Sequence, residues 1–301
     1  MESSAFSLLD PRFTDPVAAA EYLEGLRWAD NVVCPHCGES EREPYRLKSN
    51  ATTRRLWKCR TCRKQFTVTV GTIFESSHVP LNKWLAAFYL LCSSKKGMSA
   101  HQLHRMLDVT YKTAWFMFHR IREAMRDPSF AGLLGGVVEV DETYIGGQRK
   151  MRGERGRSRK HKTPVVALVE RGGKARSMRV PDVTGKELKG AIREHVDPSA
   201  RLMTDEFSSY RNIGREFAGH DTVAHSYGEY GRGEVHTNTV EGYFATLKRG
   251  INGVYHHVSR QHLPRYLDEF EFRYNRRELG DSARTVAALR GAEGKRLKFR
   301  D

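Results

Sequence analysis

The sequence has no apolar run long enough to cross a bilayer. The longest, Trp84 to Cys92, covers nine residues, where a membrane helix needs about twenty. Between Met1 and Pro16 there is no basic start followed by an apolar core, so no secretory leader is expected. Cysteine is scarce: five in 301 residues. Four of them fall in two Cys-x-x-Cys pairs, which argues against a disulfide framework and for a metal site in a reducing compartment. Negative charge is also short, with 36 Asp and Glu against 51 Lys and Arg for a net +15. No internal repeat is visible. These absences exclude a membrane protein, a disulfide-stapled secreted module and a repeat array. The charge excess points to an anionic partner, above all nucleic acid, and the expected location is cytoplasmic. What is present, 39% hydrophobic residues with twelve Tyr and fourteen Phe, suits a folded chain rather than a disordered one.

Read along its length, the chain changes grammar three times. Residues 1–75 hold a short amphipathic helix, Pro16 to Trp28, and the cysteine region. Its second pair runs into Lys64 to Val70, whose alternation predicts a strand. Residues 76–130 read as helical. Pro80 opens one helix, and Ser99 and Thr110 are placed to cap two more around an Asp108-Val109-Thr110 turn. Residues 131–279 are mixed: strands at 136–145, 164–170, 175–180 and 201–204, a helix after Thr184, another near Glu206, a strand at 221–224, and closing helices at 238–251 and 261–277. That order predicts an α/β domain. Residues 280–301 are expected to form a basic tail.

Cys34, Cys37, Cys59 and Cys62 make the sharpest local signal. Two hairpin tips 21 residues apart can present four thiolates to one zinc ion. Such a site is structural, because four thiolates leave no position open for substrate. His36 is expected to face solvent between ligands, and Cys92 to lie in the core. The two helices around Asp108 predict a helix-turn-helix, with Thr110, Tyr111 and Lys112 facing bases or phosphates. A plain helical linker is the blander alternative.

Asp141, Asp205 and Glu241 are the candidate catalytic acids. Asp141 lies within a strand, Asp205 at a strand end, and Glu241 near a helix start with Lys248 seven residues on, two turns along the same face. Phosphodiester chemistry at neutral pH needs an activated oxygen and a neutralised leaving group. Two Mg²⁺ or Mn²⁺ ions supply both, and carboxylates hold them. Lys248 and Arg249 suit a DNA phosphate. The run Gln148 to Lys162 carries eight basic residues and one Glu. It reads either as a solvated loop or as a DNA clamp through Arg149, Lys150 and Arg152. Glu139 shares the strand face of Asp141 and Glu142 is adjacent to it; support of a metal ligand is open to either, and a structural or solvated role is the expectation. His236 touches DNA or helps cap the last acid's helix.

Asp141-Glu142-Thr143-Tyr144-Ile145-Gly146-Gly147, Thr204-Asp205-Glu206-Phe207-Ser208-Ser209-Tyr210, His236 to Gly242 continuing through Leu247-Lys248-Arg249, and Phe272-Arg273-Tyr274-Asn275-Arg276-Arg277 together resemble the zinc-ribbon DDE transposases of bacterial insertion sequences, the ISXO-like group. The resemblance covers nearly the whole chain. It implies a ribonuclease H-like, retroviral integrase-type catalytic fold behind a zinc ribbon and a helix-turn-helix. It further implies two catalytic Mg²⁺ ions, and cutting and joining of double-stranded DNA at terminal inverted repeats and a target. Paired cutting of two ends implies a homo-oligomer, at least a dimer. Some members of the group do not carry Glu at the third position, and Asn238 stands close enough to Glu241 to share its role. Two other readings stay open: a metal-dependent nuclease of the same fold that does not join ends, and a zinc-ribbon transcription regulator.

Overall fold

A computed structural model describes residues 6–47, 55–127, 132–146, 162–229 and 231–298. The chain divides into two compact units, residues 1–126 with 278–301, and residues 127–277. No helix among the described residues is long and apolar enough to cross a membrane.

In the first unit, α1 (Pro11–Thr14) leads into α2 (Pro16–Arg27). Asp15 caps α2 by accepting the Val17 and Ala18 N–H groups, with Pro16 fitting the first helical position. Three two-residue strands follow, β1 (Tyr45–Arg46), β2 (Trp57–Lys58) and β3 (Gln65–Phe66), antiparallel in the order β1-β2-β3. The strand expected over 64–70 is therefore only two residues long. Arg27 accounts for the difference: its guanidinium takes the Val68 and Val70 carbonyls that a longer strand would pair, each at 2.8 Å. Helices α3 (Leu81–Ser93), α4 (Ala100–Leu107) and α5 (Tyr111–Met125) come next. Ser99 and Thr110 both cap as expected, accepting Gln102 N and Thr113 N. Asp108 turns the chain between them in the left-handed region, φ +47°. Cys92 is fully buried on α3.

The segment expected as a basic tail instead holds α9 (Asp281–Arg290), which packs on α3 and α5. Thr285, Ala288 and Leu289 are buried, and Leu297 beyond the helix is buried too, its carbonyl accepting Arg120 Nε at 3.0 Å.

The second unit is a mixed α/β layer structure. Its sheet comprises β4 (Val137–Ile145), β5 (Thr163–Glu170), β6 (Ala175–Arg179), β7 (Arg201–Asp205) and β8 (Gly219–Val223). They lie in the order β6-β5-β4-β7-β8. The first three are antiparallel, while β7 runs parallel to both β4 and β8. Strand β5 is buried on both faces, which explains its unbroken apolar run. One face packs Val138, Val140, Val166 and Leu168 against Leu188 and Ile192 of α6 (Gly185–His195). The other packs Val165, Ala167 and Val169 against α7 (Asn238–Gly250) and α8 (Leu263–Asn275) through Val240, Phe244, Leu247, Leu267 and Phe270. The helix expected near Glu206 is replaced by two short 3-10 turns, Ser208–Tyr210 and Ile213–Glu216.

After α7 a π turn, Ile251–Tyr255, is pinned to α8 by Glu269. The Tyr255 hydroxyl and Arg273 Nη2 both donate to Glu269 Oε1, and Glu269 is fully buried. Removing the acid strands a buried guanidinium, so Glu269→Ala is expected to destabilise this unit by about 3 kcal/mol. Equilibrium urea unfolding checks this, and an unchanged midpoint would contradict it.

Candidate active site and cysteine cluster

The four cysteines converge. Their Sγ atoms all lie within 4.8 Å of one another, with Cys34–Cys62 at 3.7 Å and Cys37–Cys59 at 3.8 Å. These separations far exceed a disulfide bond. They match the edge of a tetrahedron with bonds of about 2.3 Å, about 3.8 Å, which is the geometry of zinc bound by four thiolates. Each Cys-x-x-Cys forms a tight turn, Gly38 N donating to Cys34 O and Cys59 N to Lys64 O. Gly38 sits at φ +74°, which its missing Cβ permits. His36 is exposed, with Nε2 3.2 Å from the Gln65 carbonyl, outside the ligand set.

In the second unit the strand pairing places the acids. Along β4 alternate residues face opposite sides, so Glu139 and Asp141 share the α7 side with Ile145, while Val138 and Val140 face α6. The parallel register pairs Val137 with Arg201 and Glu139 with Met203. Asp141 and Asp205 each lie two residues beyond that last pair, on adjacent strands. Glu241 enters from above, in the first turn of α7. Glu142, on the opposite face, accepts the Tyr210 hydroxyl at 2.7 Å.

The electrostatics agree with this grouping. Asp141 is pushed up to about 7, first by burial, then by the charge of Glu142, with Asp205 and Glu241 adding to it. The Glu142 N–H, 2.7 Å from Asp141 Oδ1, opposes the shift. Asp205 is raised by burial and by Glu206, against the Phe207 N–H at 3.0 Å and the nearby His225. Carboxyl groups that crowd until one resists ionisation form a donor set suited to a hard divalent cation, whose charge removes the repulsion. Their oxygens do not close to within 4.8 Å about a single point, as the thiols do.

Two further residues shape the site, His225 without any sequence signal and Glu139 with only its place on the Asp141 strand face. His225, just after β8, has Nε2 3.1 Å from Thr237 Oγ1 and 3.4 Å from Glu241 Oε1. Its turn is fixed by Glu206, whose carboxylate accepts the His225 and Ser226 N–H groups at 2.9 Å each. Backbone N–H groups, its own first and then that of Ser226, hold Glu206 down to about 2. The other is Glu139, fully buried beneath α7. It accepts Thr239 N at 2.7 Å, Val240 N at 3.0 Å and Arg171 Nε at 2.6 Å.

The remaining candidates are placed as follows. Lys248 and Arg249 are exposed on α7, with Lys248 Nζ 5.8 Å from the centre of the Phe244 ring. Asn238 is exposed at the start of α7, and His236 Nδ1 lies 3.2 Å from Glu139 Oε1. Thr110, Tyr111 and Lys112 are exposed at the head of α5, where Tyr111 stacks on His101 with ring centres 4.2 Å apart. Arg149, Lys150 and Arg152 lie outside the described residues.

Residues 133–275 match the ISXO2-like transposase domain, and residues 15–65 match the transposase zinc-ribbon domain. A protein of Halobacterium salinarum, described as an uncharacterized protein in transposable element ISH50, is 30% identical over 276 residues, spanning 87% of this chain and 91% of that one. Among solved structures, the Mos1 transposase paired-end complex covers 69% of this chain and 74% of its own at 13% identity and a TM-score of 0.29. The Mos1 strand transfer complex covers 68% and 73% at 11% and 0.30. Both likenesses are too weak to bear on the fold. The two family matches and the long insertion-sequence relative are sufficient: this chain belongs to the ISXO2-like, zinc-ribbon transposases.

Proposed function

We infer that this transposase cuts and joins double-stranded DNA at the terminal inverted repeats of an insertion sequence, using Asp141, Asp205 and Glu241. The observation that carries the reading is the grouping of the acids: Asp141 and Asp205 lie on neighbouring parallel strands, Glu241 lies in the first turn of α7, and the charges of Asp205 and Glu241 are both felt at Asp141. The sheet order, three antiparallel strands followed by two parallel ones, supports a ribonuclease H-like catalytic domain. Asp141, Asp205 and Glu241 would hold two Mg²⁺ or Mn²⁺ ions, with Asn238 near enough in sequence to assist. Bound there, the ions supply an activated attacking oxygen and charge neutralisation at the leaving oxygen.

The chain's own groups orient the reaction. The Thr237 hydroxyl, donating to Glu241 Oε1 at 3.1 Å, aims that carboxylate. The Phe207 N–H fixes one oxygen of Asp205 and the Glu142 N–H one of Asp141. Lys248 and Arg249, further along α7, suit the DNA backbone. The ribbon, with zinc on its four cysteines, and the α4–α5 pair, read as a helix-turn-helix presenting Thr110, Tyr111 and Lys112, would recognise the element's ends. The basic residues Arg149, Lys150 and Arg152 would add phosphate contacts. Handling two ends calls for at least a dimer on DNA.

The test is a cleavage and joining assay on labelled duplex carrying the inverted repeats that flank the gene. Divalent-dependent nicking at the repeat ends, followed by joined product, is the expected result. Nicking without joined product would make the protein a nuclease. Tight binding without cleavage in Mg²⁺ or Mn²⁺ would make it a regulator.

A further inference from the structure

Thr is among the preferred residues for capping a helix, its hydroxyl accepting an N–H of the first turn. Thr237 stands at that position of α7 and makes no such bond. The Thr239 and Val240 N–H groups, which a capping side chain would serve, go instead to Glu139 Oε2, a hundred residues earlier in the chain. The Thr239 hydroxyl also donates to Glu139, at 2.9 Å. Thr237 Oγ1 is thereby released from capping and lies 3.1 Å from both Glu241 Oε1, to which it donates, and His225 Nε2.

A carboxylate with no solvent exposure needs compensation. Two helix N–H groups and the positive end of the α7 dipole provide part of it. Arg171, which follows β5, adds its charge beside the Thr239 hydroxyl and His236 Nδ1: Nε donates to Glu139 Oε1, Nη1 to the Glu234 carbonyl at 2.7 Å and Nη2 to the His236 carbonyl at 2.8 Å. Arg171 therefore ties the acid and the chain entering α7 into one unit. Glu139 is two residues from Asp141 on the same strand face, so whatever it holds is indexed directly to the first catalytic acid.

We propose that Glu139 is a positioning residue for the reaction. It caps α7 from strand β4 in place of Thr237, so that the Thr237 hydroxyl is free to orient Glu241 over Asp141. Glu139 touches neither DNA nor metal in this arrangement and acts through the helix and the threonine. The proposal rests on the assignment of Asp141 and Glu241 given above, and it adds a division of labour between two residues that no family motif assigns.

The experiment compares full-length wild-type protein with Glu139→Gln, Thr237→Val, Thr237→Ser and Asp141→Asn. Mn²⁺ alone is titrated by calorimetry without DNA, and the metal dependence of cleavage is measured in parallel. In Glu139→Gln the amide nitrogen faces either Arg171 or the helix N–H groups, donor against donor. Mn²⁺ affinity should fall roughly 10- to 100-fold, the usual cost of losing a group that orients a metal ligand. Cleavage should recover substantially at high Mn²⁺, with repeat binding within about twofold of wild type. Thr237→Val keeps the Glu139 cap and loses the hydroxyl with its contacts to Glu241 and His225, so it should show the same weakened Mn²⁺ binding with an unchanged melting temperature. Thr237→Ser should restore wild-type behaviour. A role in folding alone predicts normal metal binding in Thr237→Val, and that result overturns the proposal even if Glu139→Gln fails to fold. Wild-type Mn²⁺ affinity in both variants also overturns it, while leaving the catalytic assignment intact. Cleavage by Asp141→Asn would instead overturn the assignment itself.

Discussion

Asp141→Asn should abolish DNA cleavage and, at the same time, make the metal-free protein more stable above neutral pH. The first half follows from the placement of Asp141 between Asp205 on the next strand and Glu241 on α7. Loss of a carboxylate from such a cluster is expected to lower the cleavage rate by at least roughly a thousandfold, about 4 kcal/mol of transition-state stabilisation. The second half follows from its ionisation. Asp141 is raised from 3.8 to about 7 by burial and by the carboxylates around it. A group with a raised folded pKa contributes its full stability below its unfolded pKa and loses it as pH climbs through the folded one. For Asp141 that window runs from about 4 to about 7. Above it the folded protein must carry the ionised acid. Three units correspond to about 4 kcal/mol, and partial solvent contact reduces this to about 2–3 kcal/mol.

Asparagine removes that cost. In EDTA at pH 8 the variant should therefore melt on the order of 5–10 °C above wild type, and at pH 4 the gap should close. Mg²⁺ should raise the wild-type melting temperature at pH 8 and leave the variant nearly unmoved, since only the wild type has the repulsion to relieve. Calorimetry across pH 4–8, with and without Mg²⁺, reads all of this. Parallel melting curves at every pH, or cleavage by the variant within tenfold of wild type, would contradict the placement of Asp141 in a metal-binding cluster.

How far the site was legible in the sequence depends on how local each signal is. Asp141 and Asp205 could be picked because a strand and a strand end announce themselves through their neighbours, Val137 to Val140 and Leu202 to Thr204. The Ser99 and Thr110 caps act within three residues and were readable for the same reason. Glu139 was readable only in part: its place on the strand face of Asp141 marks it as able to support that acid, but not what it holds. Its defining partners, Thr239 and Val240, lie a hundred residues away, and an acid next to a catalytic strand residue looks solvated until the helix above it is known. His225 depends in the same way on Glu206 and Thr237, whose proximity comes only from sheet order. Besides the short strand at 65–66, two elements differ from expectation for local reasons. The helix expected near Glu206 is broken because that carboxylate is committed to the turn at 225–226 rather than to its own first turn. At the end of the chain the Arg and Lys residues mask the apolar stretch Val286 to Leu289 that seats α9 on α3.

The four-cysteine cluster leads to the other large expected effect: stripping zinc should unfold the ribbon while the catalytic unit stays folded. Three strands of two residues each cannot hold a sheet by backbone pairing. The apolar support is small, chiefly Trp28 meeting Trp57 and Phe66 edge-on at 6.3 and 5.9 Å, with Trp57 Nε1 bonded to Glu24. Apparent zinc binding to four thiolates at pH 7 is worth roughly 10–16 kcal/mol, and a site that forms only in the folded state delivers this as folding energy. Cys59→Ser, or a strong zinc chelator acting on wild type, should therefore expose Trp28 and Trp57 and shift their emission to the red. One zinc per chain should be released, and repeat binding should fall by at least tenfold if the ribbon reads DNA. The catalytic unit's own melting transition should survive, because its core lies on the two faces of its own five-stranded sheet. Zn²⁺ should restore the ribbon and Mg²⁺ should not, since thiolates favour the softer ion. Purified protein without zinc, or a Cys59→Ser variant with unaltered tryptophan emission, would mean that the ribbon is held by its aromatic contacts alone. The 3.7 and 3.8 Å sulfur separations would then reflect packing rather than a metal.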